Sequence, residues 1–156
     1  MTNDTSFKSD AYCGLYCAAC PNYRKTQSLA GQGRLSGRTT EPTDCKGCKS
    51  DLLCQSWCAH CNLKDCARSK GLEFCNQCAE YPCANLEGFK HDANYPYHFE
   101  ITGYLTDIKA KGKDAWLADM AKRWSCASCG ASHDWWTTKC PSCGKHVDGY
   151  VNPQAK

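Results

Sequence analysis

Apolar side chains recur at helical steps in one long stretch of the chain. From Tyr97, the positions Tyr97, Ile101, Tyr104, Leu105 and Ile108 fall three or four residues apart, the spacing of one helix face. Lys109 and Lys111 suit the negative end of that helix, and Gly112 suits its stop. Asp114 then reads as the cap of a second helix whose inner face carries Trp116, Leu117, Met120 and Trp124. The pattern predicts a helical hairpin joined at Lys-Gly-Lys, supplying apolar mass that the rest of the chain lacks. A partner-binding surface is the alternative role for it. A further short helix is predicted over Asn22–Ala30, followed by a loop with Arg34 and Arg38. With Arg24, these arginines would suit an anion. No phosphate-binding glycine fingerprint accompanies them, so the segment reads instead as a solvated insertion.

Composition changes the picture. Leu, Ile, Val and Phe together number 18 of 156 residues, too few for a conventional core, yet 16 residues are Cys. Something besides apolar burial must hold such a chain, either disulfides or metal. The N-terminus MTNDTSFKSD has no apolar run of the secretory kind, and no segment reads as a membrane span. These features place the chain in the cytoplasm, where Cys pairs two residues apart serve metals rather than disulfides. Metal also corrects the charge: four sites of four thiolates each would take the formal +3 to about −5. The bare basicity is therefore no argument for nucleic acid.

The cysteines fall into two groups. Cys126-Ala-Ser-Cys129, ten residues, then Cys140-Pro-Ser-Cys143 gives C-x2-C-x10-C-x2-C, a spacing that closes a tetrahedron of sulfurs. These residues resemble a zinc ribbon, and the Cys-Pro-x-Cys-Gly step also resembles rubredoxin-like iron sites. Four thiolates leave no open coordination position, which points to structure rather than hydrolysis. Trp124, Trp135, Trp136 and Tyr150 are expected to form the small core of this ribbon. His133 and His146 are not needed as ligands and read as surface residues.

The N-terminal group comprises Cys13, Cys17, Cys20, Cys45, Cys48, Cys54, Cys58, Cys61, Cys66, Cys75, Cys78 and Cys83. Twelve thiolates suffice for three four-ligand sites, but the spacing leaves their connectivity open. Cys45/Cys48 can pair with Cys58/Cys61, Cys58/Cys61 with Cys75/Cys78, and a cross-braced pairing is also open. The C-x3-C-x2-C step of Cys13, Cys17 and Cys20 occurs again in Cys54, Cys58 and Cys61. That spacing is used by radical-SAM enzymes, whose large barrel this chain has neither the length nor the pattern to build. A 4Fe–4S cluster held by these cysteines stays open.

The segments YCGLYCAACPNY, CKGC and WCAHCNLKDCARSKGLEFCNQCAEYPC, with Asn85-Leu86 following, resemble the domain of unknown function 3795, over roughly residues 11 to 90. The resemblance implies metal binding by eleven of the twelve N-terminal cysteines and carries no activity with it. Cys54 lies outside the shared pattern, leaving it a ligand, a free thiol, or a position replaced in one site by His60 or an Asp.

The sequence thus predicts a small metal-rich α+β or irregular fold. A cysteine-rich multi-metal domain covers residues 1–90, a helical hairpin 91–124, and a zinc-ribbon-like domain 125–156. All sixteen cysteines are candidate ligands, with zinc the expected metal and iron or a 4Fe–4S cluster the alternative. No catalytic constellation is legible. The expected role is a protein-interaction or scaffold module whose partner is another protein, nucleic acid being less favoured and a membrane excluded. An iron–sulfur or rubredoxin-like electron-transfer protein is the alternative.

Overall fold

A computed structural model describes residues 6–32 and 42–154. Among the described residues, five α-helices follow one another: α1 (Pro21–Gly31), α2 (Asn62–Ser69), α3 (Ala84–Lys90), α4 (Ile101–Lys111) and α5 (Lys113–Arg123). Short 3₁₀ turns cover Cys17–Ala19, Cys58–His60, Cys75–Gln77 and Pro96–Glu100. Among the described residues, β structure is limited to three isolated antiparallel bridges, Asp10 with Tyr16, Ser125 with Ser132, and Lys139 with His146. The expected β component therefore shrinks to single bridges. In the C-terminal segment the side chain of Asp134 accepts from Trp136 N and Thr137 Oγ1, and this local turn breaks the strand that would otherwise join the two cysteine pairs.

The predicted hairpin is α4 and α5. Ile101, Leu105 and Ile108 of α4 and Trp116 and Met120 of α5 are buried, in the register the apolar spacing predicts. Lys111 and Asp119 pair across the hairpin at 2.7 Å. The second helix starts earlier than its expected cap: Gly112 stands at the N-cap, and Asp114 lies in the first turn, where its carboxylate faces the positive helix end.

The core does not stop at the hairpin. Ala11, Cys13, Ala19, Leu63, Phe74 and Leu86 pack with the buried faces of α4 and α5 and with Trp124 and Trp135 in one cluster. Leu86, Ile101 and Leu105 retain no exposed surface, and each such side chain adds about 1.5–3 kcal/mol by leaving water. The hairpin is thus the apolar anvil on which the cysteine-rich loops are laid. Among the described residues, no helix is long and apolar enough to cross a membrane.

Candidate metal centres

All sixteen cysteines are free thiols; no disulfide forms. The C-terminal four are the most closely gathered. Sγ of Cys126 lies 3.6 Å from that of Cys143, and Sγ of Cys129 lies 3.5 Å from that of Cys140. All four sulfurs fall within 4.8 Å of one another, so this set could hold a metal ion. Each pair sits on a tight turn, closed by Gly130 N donating to Cys126 O and Gly144 N donating to Cys140 O. Backbone N–H groups of Cys143 and Ser142 aim at the Cys140 sulfur and pull its thiol down to about 6. The N–H groups of Cys129 and Ser128 lower Cys126 in the same way. Donors directed at sulfur favour the thiolate, which is the form that binds metal.

The N-terminal twelve share a local device. Cys17, Cys58 and Cys75 each open one 3₁₀ turn. The second cysteine of the first two turns, Cys20 and Cys61, then stands at the N-cap of α1 and α2, and Cys83 stands at the N-cap of α3. The motif N–H to sulfur two residues back recurs as well, from Gly47 to Cys45 at 3.3 Å and from Glu80 to Cys78 at 3.4 Å.

Packing sets Cys45, Cys54 and Cys58 apart from the seven cysteines that touch the main core, and neighbouring thiols together with one cavity suggest a grouping of the twelve into three sets. In the first, Cys45 and Cys54 are buried together with Leu53, and Cys58 packs against them. Cys45 is hydrogen-bonded to Cys58, which, with the N–H groups of Gly47 and Cys54, draws Cys45 down to about 6. Cys20 joins this set. The fields of Cys45 and Cys54 reach it, and its thiol is pushed up to about 11, chiefly by burial. Asn22, two residues on, directs its Nδ2 at the Cys54 sulfur from 3.8 Å.

The second set holds Cys13, Cys17, Cys48 and Cys61. Cys17 is hydrogen-bonded to Cys48, which holds the Cys48 thiol below its ordinary range. Cys13 is buried and raised by that burial, with Cys48 and then Cys61 the nearest thiols acting on it. Lys49 sits beside this set, paired with Asp10 at 2.6 Å and lying over the Phe74 ring. Arg68 donates to Cys48 O at 3.1 Å and covers the Tyr12 ring.

The third set, Cys66, Cys75, Cys78 and Cys83, lines a cavity of about 110 Å³ with Leu63, Leu72 and Leu86. Lys70 Nζ lies 3.3 Å from the Cys78 sulfur and 2.8 Å from Glu80, so a cation already answers one thiol here. Cys75 is raised to about 11 by burial and then by Cys83 and Cys66. Cys61 also acts on Cys75, so the second and third sets adjoin. Among the described residues, only the C-terminal set brings three or more donor atoms within 4.8 Å; the N-terminal sets are wider.

Cys54 is among the most buried cysteines, at the centre of its set, although it is foreign to the motif pattern. His60 is exposed. His133, expected at the surface, is 2% exposed and packs edge-on to Trp124. The ribbon needs it as filler because its aliphatic content is so low. His146 is exposed as expected. Arg24 donates to Ser132 O at 2.9 Å and so ties α1 to the C-terminal segment rather than waiting for an anion. Arg34 and Arg38 lie outside the described residues.

A family described as a protein of unknown function, DUF3795, matches residues 9–88, about half of the chain and every one of the twelve N-terminal cysteines. The chain belongs to that family. No curated protein and no solved structure matches it.

Proposed function

We propose that this member of the DUF3795 family is a metal-binding protein in which all sixteen cysteines are ligands, four to a site, and in which the metal replaces the missing aliphatic core. The observation that carries this reading is the C-terminal set. Its S···S separations of 3.5 and 3.6 Å approach the roughly 3.8 Å edge of a tetrahedron with metal–sulfur bonds of about 2.3 Å. Zinc suits that site, closed by four thiolates and therefore structural. Free thiols throughout fit a reducing compartment such as the cytoplasm. The role that follows is a metal-stiffened scaffold that docks another protein. Supporting features are a negative holo charge, which disfavours nucleic acid, and the Trp57 side chain, which stands 57% exposed between Cys54 and Cys58.

A second reading rests on the width of the N-terminal sets and on the cavity enclosed by Cys66, Cys75, Cys78 and Cys83. An iron–sulfur cluster is a multi-atom group held by four thiolates. One water-sized occupant needs only roughly 10–15 Å³, so a cavity of about 110 Å³ has room for more than one atom. Full-length protein purified without oxygen separates the two readings by its zinc, iron and acid-labile sulfide. About four zinc per chain supports the multi-zinc scaffold. Iron with equal sulfide moves the N-terminal sets to the electron-transfer reading. A chain that binds no metal overturns both.

A further inference from the structure

We infer that the first two N-terminal sets are a crossed pair of adjoining metal sites, Cys20/Cys45/Cys54/Cys58 and Cys13/Cys17/Cys48/Cys61, in which every Cys-x2-Cys segment sends one sulfur to each site. This inference rests on the metal-binding reading and adds its connectivity. Three segments cross between the sites. Cys17 goes to the second and Cys20 to the first; Cys45 goes to the first and Cys48 to the second; Cys58 goes to the first and Cys61 to the second.

The packing behind the crossing divides two of the segments directly. Cys45 and Cys58 pack around Leu53, whereas Cys48 and Cys61 pack against the main core. Helix α1 fixes Cys20 on the side of the first site. Asn22 of that helix reaches the Cys54 sulfur, and Thr26, fully buried, accepts from Cys45 N at 2.8 Å. The buried group of Cys45, Leu53 and Cys54, with Cys58 against it, closes the first site. Cys13, Cys17, Cys20, Cys48 and Cys61 touch the main core, and the contact of Asn22 with the Cys54 sulfur is what draws Cys20 to the first site.

The doubled C-x3-C-x2-C step therefore acts as a two-fold device. The first copy gives two sulfurs to the second site and one to the first, and the second copy does the reverse. Cys45-Lys-Gly-Cys48 supplies the fourth ligand of each. Such sharing of one cysteine run between two centres is a known solution for paired iron–sulfur clusters. The connectivity asks only for a thiophilic metal, and zinc, cadmium or an iron–sulfur cluster all meet that chemistry.

The test uses full-length protein loaded with ¹¹³Cd under reducing conditions and read by ¹H–¹¹³Cd correlation. The expected result is that the β-protons of Cys17 and Cys20 couple to different cadmium ions, with Cys20 sharing its ion with Cys54 and Cys58. Coupling of Cys17 and Cys20 to one ion overturns the crossed arrangement while leaving metal binding intact. Signals confined to Cys126, Cys129, Cys140 and Cys143 overturn the N-terminal metal reading itself. In Cys54→Ser, the cadmium signal shared with Cys20 should be lost and the C-terminal signal kept. Loss of the signal shared with Cys17 and Cys48, with the Cys20 signal kept, overturns the assignment.

Discussion

The phenol ring of Tyr97 lies flat on the indole of Trp135, their centroids 3.8 Å apart and their planes inclined by 14°. Tyr97 belongs to the turn that leads into α4, and Trp135 to the link between the two C-terminal cysteine pairs. Trp135 N also donates to Ala19 O at 3.0 Å, and Tyr150 N donates back to Trp135 O. One residue thus ties the ribbon by its side chain to the turn before α4 and by its backbone to the first cysteine turn.

Trp135→Ala should therefore release the ribbon without emptying it of metal. Truncating a buried aromatic of this kind costs about 3–5 kcal/mol. The ribbon's four sulfurs all lie within residues 126–143, so their metal should stay. Limited proteolysis between α5 and the ribbon, read beside metal content, checks this. Loss of the C-terminal metal in the variant would contradict it.

Gly47 cannot carry a side chain. Its φ is +104°, and a β-carbon there would stand 1.9 Å from the carbonyl oxygen of Lys8. Lys8 N in turn donates to Lys46 O at 2.7 Å, so the N-terminal strand of chain is laced to the Cys45–Cys48 turn. Gly47→Ala should force this turn off the segment and take metal from both adjoining sites together. The C-terminal site should keep its full complement, as metal analysis would show.

His98 gives the fold a sensitivity to acid. The ring is buried, stacked on Phe89 at 3.7 Å, with Nδ1 3.0 Å from Phe89 O. Burial lowers it from the ordinary 6.5 to about 4, against opposing pulls from the Phe89 carbonyl and then from Asp92. The unfolded chain takes up this proton near 6.5 and the folded chain only near 4, so stability is full above about 6.5 and falls as pH drops toward 4. Over that window the loss amounts to about 2–3 kcal/mol. Acid also releases metal from thiolates, so the comparison needed is with His98→Gln at matched pH. The variant should lose stability less steeply between pH 6.5 and 4. Equal slopes for the two proteins would refute the claim.

Removal of metal should unfold the chain rather than loosen it. Structural zinc sites contribute on the order of 10 kcal/mol to the folding of small domains, more than a core with so few aliphatic residues supplies. A strong chelator with a reductant present should abolish the near-ultraviolet dichroism of Trp116, Trp124 and Trp135. Restoring zinc should bring it back. A native spectrum in the metal-free chain would show that the hairpin core holds the fold unaided.

The sequence by itself determined the hairpin, because an apolar face repeating every three or four residues can be buried only one way on a helix. It also determined the C-terminal quartet, since both pairs lie within eighteen residues and a two-residue gap is a property of the local turn. The family pattern followed from the order of cysteines alone. Tertiary structure decided what local spacing does not encode. The place of α1, and of Cys20 at its start, depends on Thr26, which accepts from Cys45 N nineteen residues away. The place of Cys54 depends on burial against Leu53 and Cys45 and on an asparagine thirty-two positions upstream. The burial of His133 depends on its edge-on packing against Trp124. A thiol pair two residues apart looks the same in sequence whether its sulfurs converge or diverge. The packing of distant segments chooses between those outcomes.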